Sequence, residues 1–263
     1  MIDKKHYYII AKNDDCSQKL EAEMNTTFSL NGWILDQESP DLVVTIGGDG
    51  TFLHAIHSYL DKLENIKVVG IHTGTLGFFT NYHDHELDVF FDDLFNQRMM
   101  IHPIPVLQIA VKQRDESFIF EAINEMRVEN VTRTQTLDIK INGEEFESYR
   151  GTGMCISTQA GSTAYNRSLG GAVLQDGLDF LQLTEITGIH HSAFRSLGSP
   201  LIVKKESVIE LSSDNFDHAI LCYDHLHFEL NCKSFIKVSY SNKYIRLMTR
   251  PNYTYFKRLR NLF

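Results

Sequence analysis

Apolar positions in the first hundred residues fall into short unbroken runs, separated by longer stretches with helical spacing. His6–Ala11 (HYYIIA), Asp41–Ile46 (DLVVTI) and Ile66–Ile71 (IKVVGI) are rich in β-branched residues and too short for stable helices, so each predicts a strand. The unbroken second run has the character of a strand buried on both faces. Between the strands, Leu20, Met24 and Phe28 recur every fourth position within Cys16–Phe28. Phe52, Leu53, Ile56, Tyr59, Leu60 and Leu63 supply a core-facing stripe over Thr51–Leu63, and both segments predict helices. Alternating strands and helices predict an α/β N-terminal domain with a mostly parallel sheet. The ligand crevice of such a sheet lies beyond the C-terminal ends of its strands, where two glycine-punctuated turns fall, Gly47–Gly50 and His72–Phe78.

After about Met100 the pattern changes. Val106–Val111 and Phe118–Ile123 read as strands, and Leu137–Ile141 alternates before Asn142-Gly143, a strong hairpin signal. Later runs at Leu201–Val203, Val208–Leu211, Ala219–Cys222, Phe228–Leu230, Phe235–Tyr240 and Tyr244–Met248 continue the β-rich character. The organisation expected is residues 1–100 as the α/β domain, 101–241 as a β-rich, β-sandwich-like C-terminal domain, and 242–263 as a tail. The tail has no Asp or Glu but carries Lys243, Arg246, Arg250, Lys257, Arg258 and Arg260 among aromatics. A nucleic-acid patch would share that composition; the scattered aromatics favour a segment docked on the acidic body of the protein.

Composition narrows the function class. With 25 Lys and Arg against 34 Asp and Glu, the formal net charge of −9 argues against nonspecific binding to nucleic acid or anionic membrane. A local phosphate site built from backbone N–H groups remains compatible with that charge. The start of the chain lacks the pattern of a signal peptide, and no apolar run is long enough to span a bilayer. Cys16, Cys155, Cys222 and Cys232 form no CxxC pair, which fits reduced structural thiols in a cytoplasmic protein. The 12 histidines include no H-E-x-x-H or Cys/His cluster, and no G-x-S-x-G elbow is present, so structural zinc and an α/β-hydrolase site are both disfavoured.

Three segments carry candidate chemistry. Gly47, Gly48, Gly50 and Thr51 let backbone N–H groups approach phosphate oxygens at a helix start, with Asp49 placed to orient or deprotonate a hydroxyl or to help position a phosphate-bound Mg²⁺. A tight strand-to-helix turn capped by Asp49 accounts for the same residues. Asn124-Glu125 could hold the two hydroxyls of a ribose, or simply end a strand. Gly151-Thr152-Gly153, then Gln159–Asn166 and Gly170-Gly171, concentrate small residues around Ser162, Thr163, Tyr165 and Asn166. These supply hydrogen bonds and a ring that stacks, or else a helix start capped by Ser162 or Thr163.

The ordered set GGDGTFL (Gly47–Leu53), GIHTGTLGF (Gly70–Phe78), NE (Asn124-Glu125) and GSTAYN with a trailing GG (Gly161–Gly171) resembles the NAD kinase family, in its short bacterial form. The likeness extends to FRSLGSPL (Phe194–Leu201), Asp224-His225 and the basic aromatic tail. It implies ATP-dependent phosphorylation of the adenosine-ribose 2′-hydroxyl of NAD to give NADP, with Mg²⁺ as divalent cation and ATP as phosphoryl donor. It implies that Asp49 activates the hydroxyl, that Gly47, Gly48, Gly50 and Thr51 receive phosphates, and that the β-rich domain binds NAD. Asn124 and Glu125 are implied to bind ribose hydroxyls, and Phe78, Ser162, Ala164 and Tyr165 to shape the NAD pocket. A homodimer or homotetramer is implied, with Thr187 and Ile189 reaching a site from the partner chain and the tail returning to the first domain. Three positions depart from the family pattern: Thr152 stands for an Asp that contacts the ribose–nicotinamide end, Thr75 for a His, and Gln175-Asp176 for His-Pro. A non-catalytic NAD(P)-binding sensor, or a lipid or sugar kinase sharing the GGDG loop, are the alternatives.

Overall fold

A computed structural model describes residues 5–74, 77–189, 196–230, 233–260 and 262. The readings on Thr75, His190, His191, Cys232 and the start of FRSLGSPL lie outside these residues. The chain forms two compact units, Met1–Ile104 with Lys243–Phe263, and Pro105–Asn242.

The first unit contains β1 (His6–Ala11), α1 (Asp15–Leu30), β2 (Ile34–Leu35), β3 (Leu42–Ile46), α2 (Asp49–Ser58), β4 (Lys67–His72), β5 (Thr80–His83) and α3 (Leu87–Phe95). Its strands run parallel in the order β2–β1–β3–β4, with Tyr8 beside Val43 and Val44 beside Val69, and β5 also pairs in parallel with β4. All five residues of β3 are buried, as its unbroken apolar run requires. Asp14 caps α1 by accepting from the Ser17 N–H at 2.9 Å, and Leu20, Met24 and Phe28 face inward. Phe28 stacks on Tyr7 at 4.1 Å and meets Phe91 of α3 edge-on at 5.2 Å. That places α1 and α3 on one shared aromatic core, where each buried Phe contributes about 1.5–3 kcal/mol. The helix expected over Thr51–Leu63 divides instead: α2 ends at Ser58, and Leu60–Lys62 forms a 3₁₀ turn.

The chain leaves the first unit within β6 (Met100–Gln113). The second unit then adds β7 (Glu116–Ala122), β8 (Glu125–Glu129), β9 (Gln135–Ile141), β10 (Glu144–Ser157), α4 (Tyr165–Ser168), β11 (Leu181–Gly188), β12 (Leu201–Val203), β13 (Ile209–Ser213), β14 (Ile220–Tyr223) and β15 (Leu226–Glu229), before β16 (Ser234–Thr249). Neighbouring strands are antiparallel in the order β15–β14–β8–β10–β9–β13–β16, with β11 also on β10. Asn142 and Gly143 adopt φ of 54° and 82° between β9 and β10, the left-handed pair a two-residue hairpin needs. Met126 and Val128 of β8 enter the core with Leu137, Met154 and Ile156, leaving Glu125, Arg127 and Glu129 on the opposite face of the strand.

From Lys243, within β16, the chain is again part of the first unit, where Leu247 pairs in parallel with Val68 of β4 and α5 (Tyr255–Arg260) follows. Arg250 pairs with Glu86 at 2.8 Å, and the guanidinium of buried Arg258 lies 5.0 Å from the Phe78 ring centroid.

Candidate active site: two carboxylate clamps

Gly47 follows the end of β3, and its N–H donates to the Ile71 carbonyl at 2.9 Å. It has φ +148°, and a Cβ there would lie 3.1 Å from Thr51 Cβ and 3.2 Å from Lys12 Cβ, so only glycine fits without displacing them. Gly48 is the N-cap of α2 and makes no side-chain cap bond. Asp49 does not cap the helix, contrary to the simplest reading of the turn. Its carboxylate reaches across to the second glycine turn and accepts from the Phe78 N–H at 2.8 Å and the Phe79 N–H at 3.0 Å. A Cβ on Gly77 would fall 2.6 Å from the Asp49 Cγ, which explains a glycine at that position. The two glycine turns are therefore one construction, with Asp49 at the start of α2 and both of its oxygens anchored.

His72, at the end of β4, is buried beside this loop. Its Nδ1 accepts from the Gly74 N–H at 2.6 Å, and burial holds its pKa below the ordinary histidine value. A neutral ring with its proton on Nε2 follows, and Nε2 lies 3.9 Å from where a Gly48 Cβ would be. Phe78 is buried and packs edge-on against Tyr255 at 6.0 Å. Thr51 and Gly48 are half-buried and Gly50 is exposed.

In the second unit Asp224 repeats the device. Its carboxylate accepts from the Ile123 and Asn124 N–H groups, each at 2.8 Å, and its own N–H donates to the Glu125 carbonyl at 3.1 Å. Thr158 fixes the same segment, its N–H donating to the Asn124 carbonyl at 2.8 Å and its hydroxyl to the Ile123 carbonyl at 2.6 Å. Gly161 packs so closely on Asn124 that a Cβ would sit 2.7 Å from its Cα. So pinned, Asn124 and Glu125 each bury an oxygen with no hydrogen-bond partner in the protein, Asn124 Oδ1 and Glu125 Oε2. Burial, then the nearby Asp224 charge, pushes the Glu125 carboxyl up to about 7, while Arg127 opposes the shift.

The small-residue segment is a 3₁₀ turn, Ala160–Thr163, followed by the four-residue α4. Neither Ser162 nor Thr163 caps that helix: Ala164 is its N-cap, without a side-chain bond. Ser162 is fully buried, donating to the Gln159 carbonyl at 2.7 Å and accepting from the Leu174 N–H at 3.0 Å, so its hydroxyl holds the turn together. Ala164 and Tyr165 are half-buried. Asn166 accepts from the Thr184 hydroxyl at 2.7 Å and leaves its buried Nδ2 without a partner. Gly151-Thr152-Gly153 lies inside β10 and is not a loop. A Cβ on Gly153 would fall 2.9 Å from the Val128 carbonyl carbon, and Thr152 is half-buried, its carbonyl accepting from the Asn130 N–H. Thr187 is exposed with φ 53°, and Ile189 is also exposed. In the sequence Asp224 stood without a role and Gly77 only as part of a glycine turn, while Thr158 and Arg127 carried no local signal.

Among the described residues no three His, Cys, Asp or Glu side chains gather as a metal cage, and no helix is long and apolar enough to cross a membrane.

Comparison with known proteins agrees with these motifs. Residues 11–99 match the ATP-NAD kinase N-terminal domain and residues 123–249 the ATP-NAD kinase C-terminal domain. NAD kinases of two Streptococcus pneumoniae strains, Hungary19A-6 and 70585, are each 38% identical over 253 residues, covering 96% of this chain and 93% of theirs. Among solved structures, yeast NADH kinase complexed with NADH superposes with a TM-score of 0.85 at 22% identity, over 98% of this chain and 86% of that one. An NAD kinase from Archaeoglobus fulgidus in complex with ATP gives 0.76 at 21% identity, over 98% of both chains. These likenesses share an α/β unit with a mostly parallel sheet and a β-rich unit. The chain belongs to the ATP-NAD kinase family.

Proposed function

We infer that this protein is an NAD kinase, which uses ATP to phosphorylate NAD and so produces NADP. The observation that carries the residue assignments is the pair of orphaned oxygens on Asn124 and Glu125. Each buried polar atom without a partner costs about 1–3 kcal/mol, so a pinned pair of them fits a ligand that brings hydroxyl groups. The vicinal hydroxyls of a ribose supply two such donors. Asn124 and Glu125 are accordingly assigned to the adenosine ribose, and Ala164 and Tyr165 to the walls of the same pocket. Ser162 holds the turn that carries those walls, and Phe78 is assigned to NAD binding on the family resemblance.

Asp49 is assigned to the 2′-hydroxyl. A ribose hydroxyl is a poor nucleophile, and a carboxylate about 2.6–3.2 Å away orients it and takes its proton as the phosphoryl group arrives. The two amide bonds from Phe78 and Phe79 hold that carboxylate in one rotamer before substrate binds, which is the preorganisation such a step needs. Gly47, Gly48, Gly50 and Thr51 offer backbone N–H groups and a helix start to the triphosphate. Mg²⁺ fits the donor set as a cation carried by the nucleotide, since the described residues offer the anchored Asp49 carboxylate and no cage. When bound it offsets charge on the transferring phosphoryl group.

Incubation with NAD, ATP and Mg²⁺, read by appearance of NADP, tests the activity. Asp49→Asn should retain NAD binding and lose most turnover; unchanged turnover removes Asp49 from the role of base. Exposed Ile189 and the left-handed Thr187 suit a boundary with a second copy in a homodimer or homotetramer, and a monomer by sedimentation would remove that assignment. The free thiols Cys16, Cys155 and Cys222 suit the reducing cytoplasm.

A further inference from the structure

The outward face of β8 carries Glu125, Arg127 and Glu129 in alternation, an acid, a base and an acid. Arg127 is an unusual guest there. Its side chain is 17% exposed, and the residues paired with it on the flanking strands are Cys155 and Cys222, whose thiols burial keeps neutral. Two contacts hold it: Nη1 donates to Glu129 Oε1 at 2.5 Å, and the guanidinium carbon sits 3.9 Å from the centroid of the Tyr165 ring. Glu129 and Tyr165 lie against the guanidinium, whose five N–H donors outnumber these two partners. A half-buried, pre-oriented fork of this kind is the geometry that recognises phosphate.

Its place along the strand adds the second part of the argument. Residues two apart on one face of a strand are separated by about 6.5–7 Å. Arg127 therefore lies one such step from Glu125, whose orphaned oxygen is assigned above to the ribose hydroxyls. In a nucleotide the 5′-phosphate is attached at the edge of the sugar away from those hydroxyls. A site that takes the hydroxyls at Glu125 leaves the phosphate to be met one step away, and Arg127 is the cation of this face at that step.

We propose that Arg127 is a substrate-binding residue that takes the diphosphate bridge of the dinucleotide at its adenosine 5′ end, held ready for it by Glu129 and Tyr165. The proposal rests on the ribose assignment for Glu125. In this arrangement Glu129 and Tyr165 act as positioning residues for the guanidinium, and the charge order along β8 reads as hydroxyl acceptor, phosphate donor and anchor.

Adenosine and adenosine 5′-monophosphate, titrated separately into the full chain by calorimetry, isolate the phosphate contribution. Wild type should prefer the monophosphate by roughly tenfold or more, the range of a charge-assisted hydrogen bond. Arg127→Ala and Arg127→Gln should both bring that preference to within about twofold, with adenosine itself binding nearly as before, while Arg127→Lys keeps part of it. Retention of the full preference in the Gln variant overturns the proposal, as does an equal loss for both ligands, which is the mark of a merely structural role. The Gln variant decides the matter should the Ala variant fail to fold. Glu125→Gln separates this inference from the reading it rests on: adenosine binding unaffected by that change removes the ribose assignment, whereas weakened adenosine binding with an unaltered phosphate preference in Arg127→Gln removes the Arg127 proposal alone.

Discussion

Gly77→Ala tests whether the clamp on Asp49 matters to turnover. The added Cβ would lie 2.6 Å from Asp49 Cγ and 2.8 Å from Oδ2, where ordinary contact begins at about 3.4 Å, so the carboxylate must retreat by nearly 1 Å. Such a retreat stretches both the 2.8 and 3.0 Å bonds from Phe78 and Phe79 out of hydrogen-bonding range. Hydrogen bonds to a charged group contribute about 1.5–3 kcal/mol each, and because the site is half-open to water the expected net loss is near the low end for the pair, about 3 kcal/mol. A fall in melting temperature of roughly 5–10 °C follows. A misplacement of about 1 Å in a reacting group costs on the order of a hundredfold in rate, so kcat should fall by about that factor. Initial rates of NADP formation at saturating NAD and ATP, with thermal unfolding on the same preparation, give both numbers. A variant that melts lower yet keeps kcat within about threefold of wild type would refute the link between the clamp and catalysis.

Glu125 provides a pH signature with two opposite signs. Its carboxyl is raised from 4.5 to about 7 in the folded protein, so the folded state favours the neutral form. That contribution to stability is complete below pH 4.5 and is lost as the pH rises through about 7, amounting to roughly 3 kcal/mol at most. Glu125→Gln should therefore melt higher than wild type at pH 8, with the difference vanishing near pH 4.5; parallel melting curves across that range would remove the assignment. Ribose hydroxyls that donate to the ionised form should make wild-type NAD binding weaken as the pH falls below about 7, and binding to the Gln variant weaker and nearly flat with pH. Thr152→Asp, which supplies the carboxylate that the family resemblance implies there, should tighten NAD binding, and equal affinity by titration calorimetry would dismiss Thr152 as a determinant.

The N-terminal α/β unit was legible because its signals are local. β3 and β4 are buried apolar runs, β1 buries Tyr7 and Ile9 in alternation, and the four-residue spacing of Leu20, Met24 and Phe28 marks α1 directly. β8 was harder to see. It has five residues, and three of them, Glu125, Arg127 and Glu129, are charged, so its alternation of charged positions with the apolar Met126 and Val128 is brief and follows a motif that draws attention elsewhere. β10 was hidden by Gly151 and Gly153, which resemble punctuation but are demanded by close approach to Tyr149 and to the Val128 carbonyl. The glycine loop and the NE pair could be located in sequence, and their supports could not. Nothing local tells that Asp49 reaches amides about thirty positions on, or that Asp224 reaches back about a hundred.

The first unit is built from two stretches of chain, and this affects how the protein is made. At roughly 5–20 residues per second, the ribosome spends some 7–28 s on the intervening segment Pro105–Asn242 before Lys243–Phe263 can emerge. During that interval the nascent chain already carries its glycine loop, while Val68 of β4 still lacks Leu247 and Phe78 lacks the cover of Tyr255 and Arg258. The edge of β4 at Val68 stays open until Leu247 arrives, so completion of the first unit falls late in synthesis.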